Sequence, residues 1–391
     1  MSDNCELRVS NCELGETSIR NSQFRIRSSR SGFTLIEMMV SVGILLVLGV
    51  MLIGFLRGAL NMTRSGTARG QQFETAQTVL RVAEEDFSQV LGLPAHPDGP
   101  ADDPAFVVME DPYGRQMVAF TRAWGEEQST LAGYDSGRGG TEQGYSDDFT
   151  GRNVRTAMRA SHGAIEVVYL LEPTRAGTNL YRAERSPPDP ANGLITKVAS
   201  WCAQYQGSDG DDLTPMADLQ NPDGPFAMNG EALWTQFELV AENVLCFAVE
   251  CWDDWQGRTS TWNAGSNGPV ASWSISQRSA PGQYPLPRAI RLTLVVAAEG
   301  TLRNETQLTG ALSDADNSVY VDNADGFPDV RSPSAYLRVN GEMIAYASRS
   351  GRTFGSCVRG TLGSRRQQHN AGSVVQAGEL FQRVIQLPVT R

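Results

Sequence analysis

The chain has 391 residues, 40% of them hydrophobic and 20% charged, which is enough for about two globular domains. Its formal net charge of −11 argues against a nucleic-acid-binding protein. The six cysteines include no pair with Cys-x-x-Cys spacing, which argues against a zinc-binding or thioredoxin-like protein.

The first 32 residues are polar and end in a basic stretch that contains Arg25, Arg27 and Arg30. We expect residues 1–32 to be a leader that is removed, and they do not enter the fold prediction. The chain is then apolar from Phe33 to Leu56, with Glu37 as its single charge. These 24 residues are enough to span a bilayer.

Three interpretations of this segment compete. An ordinary secretory signal has a shorter apolar core and a small residue after it, whereas here Gly32 precedes the core. A plain anchor explains the length and a cytoplasmic N-terminus, but not Glu37, which would cost roughly 2–3 kcal/mol near the bilayer centre. Cleavage after Gly32 would instead give Phe33 an α-amino group one helical turn from Glu37. That amine would be the counter-charge of Glu37, within one chain or between neighbouring chains.

The window from Ser31 to Glu37, with its basic leader and following apolar helix, resembles the signal of type IV pilins and pseudopilins. The resemblance implies cleavage by a prepilin peptidase between Gly32 and Phe33 and methylation of the Phe33 amine. It also implies assembly with other pilins through the helix and Glu37. It further implies a single-pass inner-membrane protein with a cytoplasmic N-terminus and a periplasmic domain, which later joins a filament.

The absence of proline between Phe33 and Gly92 predicts one helix from Phe33 to about Leu91, roughly 90 Å long. Residues 33–56 form its transmembrane half and residues 57–92 its outer half. The outer half has a predicted apolar seam: Phe73, Ala76, Leu80, Ala83, Phe87 and Val90. Its predicted polar face consists of Gln71, Gln72, Glu74, Arg81, Glu84 and Glu85.

Short β-like runs follow the helix. The predicted strands are Ala105–Glu110, Gln116–Trp124, Ala164–Leu171, Asn179–Arg185, Val244–Trp252 and Ala289–Ala297. Gly-, Pro-, Asp- and Ser-rich segments at 125–153, 186–193, 206–230 and 256–285 are predicted to be loops.

Residues 308–377 are predicted to form an inserted β module with strands at Ser318–Val321, Ala335–Val339, Glu342–Ala347 and Thr353–Arg359. Asn340-Gly341 predicts a type I′ hairpin turn. The motifs at Asn340 to Tyr346, Arg359 to Gly363 and His369 to Val374 resemble small β modules of phage tail and other surface proteins. That resemblance implies a display or contact role.

Three further motifs resemble J-type minor pseudopilins of type II secretion and the related W-type minor pilins. They are Leu80 to Phe87, Leu286 to Leu294 and Phe381 to Pro388. The predicted fold is therefore α+β and pilin-like: a long hydrophobic helix packed on an antiparallel β-rich domain, residues 93–307 with 378–391, that carries the module. The resemblance implies a minor subunit at the tip of a pseudopilus or pilus. A pilus subunit for adhesion or DNA uptake, or a membrane-anchored surface protein that binds a ligand, are the alternatives.

No catalytic motif is present, and His96, His162 and His369 are scattered along the chain as expected of surface residues. We therefore predict no enzymatic activity, no catalytic residues and no cofactor or metal. The pairs Asp102-Asp103, Asp147-Asp148 and Asp211-Asp212 could bind calcium, although solvated loop charge is favoured.

Four cysteines lie beyond the leader, at positions 202, 246, 251 and 357, and sequence cannot choose among their three possible pairings. Disulfides and small buried thiols are both compatible with the pattern.

Overall fold

The fold is taken from a computed structural model of the chain. The structure describes residues 34–91, 106–123, 164–174, 177–186, 188–189, 192–206, 213–253, 261–263, 273–274, 286–287, 289–298, 304–330 and 335–388. The chain divides into two units, Met1–Asn61 and Met62–Arg391.

Helix α1 extends from Leu35 to Ser88. The predicted end near Leu91 was three residues too late, because the next residues pair with a strand instead. The N–H of Leu91 donates to the carbonyl of Thr121 at 2.8 Å, and the N–H of Ala123 donates to that of Gln89 at 2.8 Å. The predicted start, Phe33, lies outside the described residues.

Six antiparallel strands form the first sheet, in the order β5-β4-β3-β2-β1-β8. They are β1 (Phe106–Glu110), β2 (Gln116–Ala123), β3 (Ala164–Leu171), β4 (Leu180–Arg185), β5 (Phe237–Ala241) and β8 (Trp273–Ser274). Strand β3 is buried at every position. Its apolar run, interrupted by Glu166, is explained by cover on both faces of the sheet.

The second sheet has the order β13-β12-β16-β9-β6-β7, and a further strand, β10, pairs with β16. Its strands are β6 (Val244–Asp253), β7 (Thr261–Asn263), β9 (Ala289–Ala297), β10 (Asn304–Gln307), β12 (Ala335–Val339), β13 (Glu342–Tyr346) and β16 (Val374–Gln386). Residues 378–386 of β16 pair with β9, whereas residues 374–377 pair with β10 and β12. One strand therefore belongs to both the pilin-like domain and the predicted module.

The main hydrophobic cluster combines the outer half of α1 with both sheets. It includes Phe87 of the helix, Phe120 of the first sheet and Leu294 of the second, and all three are fully buried. These elements confirm the predicted α+β class, a long N-terminal helix followed by antiparallel sheets.

A second hydrophobic cluster covers the other face of the first sheet and contains helix α2 (Leu194–Gln204). The prediction missed α2, although Leu194, Val198, Trp201 and Cys202 have helical spacing and are buried. Helix α3 (Thr214–Leu219) contradicts the predicted loop at 206–230. Pro215 is tolerated there because it lies in the first turn.

Two strands contradict the predicted loop at 256–285, and strands β5 and β10 were not predicted either. Strand β7 pairs with β6, and β8 pairs with β1. Strand β5 pairs with β4 across a β-bulge. These strands are two to five residues long, and pairing with a neighbour rather than local periodicity accounts for them.

A third sheet has the order β11-β15-β14, built from β11 (Val319–Tyr320), β14 (Ser348–Ser350) and β15 (Thr353–Gly355). The predicted strand Thr353–Arg359 was too long, because Ser356 has φ 52° and cannot continue an extended strand. Strand β14 was not predicted. A third hydrophobic cluster is drawn wholly from residues 308–377. The predicted domain boundaries themselves stay a prediction.

The hairpin at Asn340-Gly341 exists, but its predicted turn type was wrong. Val339 pairs with Glu342, which leaves a two-residue loop. Asn340 has φ 53°, whereas Gly341 does not adopt a left-handed φ. A type I′ turn requires positive φ at both residues.

Candidate assembly site

Helix α1 begins with a reciprocal pair of hydrogen bonds between Thr34 and Glu37. The N–H of Thr34 donates to Oε2 of Glu37 at 3.0 Å, and the N–H of Glu37 donates to Oγ1 of Thr34 at 3.4 Å. The Thr34 hydroxyl also donates to Oε2 of Glu37 at 3.1 Å. This geometry is a capping box, which satisfies two backbone donors at the start of a helix.

The capping role of Thr34 was missed, although the Thr-x-x-Glu spacing from Thr34 to Glu37 is its sequence signature. The predicted processing residues, Gly32 and Phe33, lie outside the described residues. Pairing of Glu37 with the Phe33 amine therefore stays a prediction. The geometry adds that Glu37 already stabilises its own helix through Oε2.

The apolar half of α1 is uncovered within its own unit. Leu35, Leu45 and Phe55 are 79%, 69% and 74% exposed. In the part of the chain that the structure describes, α1 is the one helix long and apolar enough to cross a membrane. Its exposed apolar surface is compatible with membrane anchoring. The predicted limits of the spanning segment, Phe33 and Leu56, stay predictions.

Five of the six residues of the predicted seam are buried, four of them on the outer half of α1 and Val90 just after the helix ends. Ala76, Leu80, Ala83, Phe87 and Val90 are buried. The prediction was wrong for Phe73, which is 55% exposed and only approaches the ring of Phe381, at 6.3 Å between centroids.

One residue of the predicted polar face is also buried. Gln72 is 8% exposed, and its Nε2 donates to the carbonyl of Val296 at 2.9 Å. This hydrogen bond compensates for the burial of the amide and joins the helix to β9.

Asp86 is the centre of a buried polar network between α1 and the first sheet. Tyr169 Oη donates to Asp86 Oδ2 at 2.5 Å, and Arg182 Nε donates to the same oxygen at 2.7 Å. Arg122 Nε lies 3.2 Å from Asp86 Oδ1. Because these partners lie on three neighbouring strands, the network fixes the helix in one position on the sheet.

The electrostatics of this network follow from burial. The pKa of Tyr169 is well above its ordinary value, because burial disfavours the phenolate and the negative charge of Asp86 disfavours it further. Burial lowers the pKa of Arg182, but the hydrogen bonds and charge of Asp86 outweigh it, so the net shift is upward. Tyr169 is therefore a neutral donor and Arg182 a cation.

The module contains a second buried network, centred on Glu342. The carboxylate accepts Arg359 Nε and Nη2, both at 2.7 Å, and the N–H groups of Gly360 and Gln367 at 2.9 and 3.1 Å. His369 Nε2 lies 2.8 Å from Oε2. The prediction of a surface position for His369 was wrong, since only 2% of it is exposed.

Burial alone would raise the pKa of Glu342, but hydrogen bonds from His369 and Arg359 and their charges outweigh it and hold the pKa below its ordinary value. The carboxylate is therefore ionised at neutral pH. It ties the hairpin of β12 and β13 to the segment from Arg359 to His369.

That segment, residues 359–369, also contacts the first sheet, and we name it the docking loop. The N–H of Arg365 donates to the carbonyl of Gly114 at 2.7 Å, and Gln367 Nε2 donates to that of Tyr113 at 2.7 Å. Arg365 Nη1 lies 3.0 Å from Glu110 Oε1. The module is therefore attached twice, through β16 and through this loop.

The four cysteines after the leader are buried thiols, and none of these described residues forms a disulfide. Each belongs to a different hydrophobic cluster: Cys251, Cys202, Cys357 and Cys246 in turn. Burial raises the pKa of Cys246 to about 12 and that of Cys357 to about 11. The thiols of Cys246 and Cys357 are therefore protonated and poorly reactive.

Within the described ranges, no group of histidine, cysteine, aspartate or glutamate side chains is arranged to hold a metal ion. The three aspartate pairs predicted as possible calcium ligands, and also His96 and His162, lie outside those ranges. The predictions of no catalytic site and no cofactor remain expectations.

Comparison with known families bears on the N-terminal segment. Residues 27–53 match the family model of the prokaryotic N-terminal methylation motif. Comparison with curated proteins finds no match. The matched residues include the predicted cleavage position and Glu37. The chain therefore carries a prepilin-type signal, which implies processing by a prepilin peptidase and assembly with other pilins, and this motif indicates a type IV pilin-like precursor.

Proposed function

We propose that the mature protein is a minor subunit at the tip of a type II secretion pseudopilus or a type IV pilus. The observation that carries the proposal is the methylation motif at residues 27–53, followed by an exposed apolar helix. The motifs at Leu80 to Phe87, Leu286 to Leu294 and Phe381 to Pro388, which resemble J-type and W-type minor subunits, support it.

The proposed pathway begins in the inner membrane, with the N-terminus in the cytoplasm and the globular domain in the periplasm. Prepilin peptidase cuts between Gly32 and Phe33, and the Phe33 amine is methylated. The apolar helices of neighbouring subunits then pack side by side. Glu37 faces an amine there, because an unpaired carboxylate in the apolar layer is unfavourable.

A tip position is favoured over the shaft by size. The module from 308 to 377 is attached both through β16 and through the docking loop, so it adds fixed bulk to the domain. Such bulk is accommodated at an end more easily than in a closely repeating shaft. The role is structural, and the proposal includes no catalytic activity and no cofactor.

Mass spectrometry of the mature N-terminus tests the processing step. We expect the chain to begin at N-methylated Phe33, and a chain that begins elsewhere would contradict the proposal. A Glu37→Ala variant should insert into the membrane normally but enter filaments poorly, with Glu37→Asp as the variant that retains the charge. Unchanged incorporation of Glu37→Ala would favour a plain membrane anchor.

The ATPase that belongs to each system distinguishes the secretion alternative from the pilus alternative. A secretion ATPase encoded beside this gene, together with small pilin-like genes, would favour the pseudopilus, whereas a retraction ATPase would favour the pilus. Loss of secreted enzymes without loss of surface pili in a deletion strain would give the same answer.

A further inference from the structure

One stretch of α1, between its apolar half and its packed half, has no outside source of stability. Residues 57–67 follow Leu56, the predicted end of the spanning segment, and precede Ala68, the first described residue of the helix that is buried. Met62, within this stretch, is 81% exposed. The division of the chain into two units, between Asn61 and Met62, also falls here. Because helices in proteins owe most of their stability to packing, we expect this stretch to be the least stable part of α1.

The composition of residues 57–67 weakens the helix further. No carboxylate lies within four residues of Arg57 or Arg64, so neither arginine has a partner for an ion pair along the helix. The hydroxyl of Thr67 donates to the carbonyl of Thr63 at 2.9 Å, a hydrogen bond that often bends a helix. Six of the eleven residues are weaker helix formers than alanine: Gly58, Asn61, Thr63, Ser65, Gly66 and Thr67.

Packing does not explain the two glycines of this stretch. A Cβ added at Gly58 or Gly66 would meet no atom within 4 Å, and neither residue has the positive φ that favours glycine. Glycine in the middle of a helix is destabilising relative to alanine, because its backbone loses more freedom on folding. Both glycines therefore weaken the helix, and no contact with the described residues requires them.

Opening of the helix is confined to this stretch from both sides. Within a bilayer the backbone must keep its hydrogen bonds, because lipid offers no other partners, so the apolar half stays helical. On the other side, Gln72 is buried and its Nε2 donates to the carbonyl of Val296 at 2.9 Å, which holds the helix on β9. In the described part of α1, residues 57–67 are the longest run without either constraint.

We propose that residues 57–67 are a hinge, at which α1 opens transiently so that the globular domain changes its orientation to the membrane while the domain itself stays folded. The inference rests on the membrane anchoring in the proposed function. Eleven residues span about 16 Å as a helix and at most about 36 Å when extended, so an open hinge also lengthens the connection by about 20 Å. A domain on such a connection can approach neighbouring subunits from several directions before it is fixed in a filament.

Amide hydrogen exchange of the full chain in lipid nanodiscs tests the hinge. We expect amides of residues 57–67 to exchange at least about tenfold faster than those of residues 76–88, which pack against the main hydrophobic cluster. Gly58→Ala/Gly66→Ala should slow exchange in residues 57–67 by roughly twentyfold, since each alanine favours the helix by about fivefold over glycine.

Gly43→Ala/Gly49→Ala is the matched control. Both glycines also have open space around them, but they lie in the apolar half, so this variant should leave exchange in residues 57–67 unchanged. Wild-type exchange in residues 57–67 as slow as in the packed turns, no slowing in Gly58→Ala/Gly66→Ala, or equal slowing in the control would overturn the hinge alone. Fast exchange throughout the apolar half would overturn the membrane anchoring, and with it the proposed function.

Spin labels at Met51 and Arg81 measure the change of orientation directly. Both side chains are exposed, and labels carried by non-canonical amino acids leave the native cysteines unlabelled. In an unbroken helix the two positions are about 45 Å apart. We expect a broad distance distribution in the wild-type chain and a narrower one near about 45 Å in Gly58→Ala/Gly66→Ala. A single narrow distribution near about 45 Å in the wild-type chain would overturn the inference.

Discussion

The hydroxyl of Tyr169 donates a 2.5 Å hydrogen bond to Asp86, which joins the third strand to a helix residue 83 positions earlier. The same carboxylate oxygen accepts Arg182 Nε. The contact between the outer half of α1 and the first sheet therefore includes directional hydrogen bonds in addition to apolar packing.

Replacing Asp86 with alanine should destabilise the domain strongly. The change would leave the charges of Arg122 and Arg182 without their buried counter-charge, and removal of one partner of such a pair costs about 3–5 kcal/mol. Urea unfolding of the full chain in detergent, followed by tryptophan fluorescence, measures the loss. Glu85→Ala, next to it but exposed, should change the free energy of unfolding by no more than about 0.5 kcal/mol. Equal effects would show that Asp86 does not lock the helix.

Glu342 should make the stability of the module depend on pH. Its pKa in the folded chain is held below the ordinary value of a glutamate. Its contribution to stability is therefore present above the pKa of the unfolded chain and is lost as pH falls through the lower, folded value. We expect Glu342→Gln to be less stable than wild type at about pH 7, with the difference shrinking towards about pH 3. Urea unfolding at both pH values measures it, and a difference that grows on acidification would contradict the assignment.

A glycine in the docking loop should tolerate no side chain. Gly363 has φ 70°, and a Cβ there would lie 2.2 Å from Nε2 of Gln116, whose Oε1 accepts the N–H of Val249 at 2.6 Å. Gly372 has φ 82° and open space around it, so it is the matched control. Gly372→Ala should cost about 1–2 kcal/mol from backbone strain alone, and Gly363→Ala should cost more. Similar losses of unfolding free energy would mean that the docking loop is not closely packed.

The buried thiols should be unreactive in the folded chain. Labelling of the mature protein with a thiol reagent should modify none of the four cysteines until denaturant is added, and then all four. A disulfide found by mass spectrometry under non-reducing conditions would contradict their separation among four hydrophobic clusters.

The capping box should control the first turn of α1. Thr34→Ala removes the side-chain acceptor and should weaken the helix start by about 1 kcal/mol, whereas Thr34→Ser should preserve it. Amide hydrogen exchange at Leu35–Glu37 in micelles should become faster in the alanine variant only. Thr67→Ala is the control, because Thr67 donates to the carbonyl of Thr63 within the helix and caps nothing. An unchanged exchange rate in the Thr34→Ala variant would show that the capping box does not stabilise the first turn of α1.

The apolar pattern of the sequence correctly predicted those strands whose buried positions follow that pattern. The bounds of β3 and β9 agree with the prediction, because Ala164–Leu171 is apolar apart from Glu166 and Ile290, Leu292 and Leu294 alternate with Arg291 and Thr293. The capping box of Thr34 and Glu37 could also have been predicted from the sequence, since the two residues lie within one helical turn.

The two buried hydrogen-bond networks could not be predicted from local sequence periodicity. Asp86 and Arg182 lie 96 positions apart, and Gln367 and Tyr113 lie 254 positions apart. Their side chains are polar, so a single sequence gives them the same appearance as surface residues. The folded module brings Glu342, Arg359 and His369 together, where they are only 0%, 5% and 2% exposed.

Strand β16 pairs with β9 over nine consecutive positions, yet the entire module is synthesised between them. The second sheet must therefore stay incomplete until the residues of β16 have been synthesised, with one edge of β9 unpaired. A chain interrupted inside the module would carry helix α1 and this unpaired edge of β9 but no β16. Because β16 follows the module in the chain, the domain can become stable only when the whole polypeptide has been made. A truncated chain would expose to proteases and chaperones the edge of β9 that β16 covers in the full-length chain.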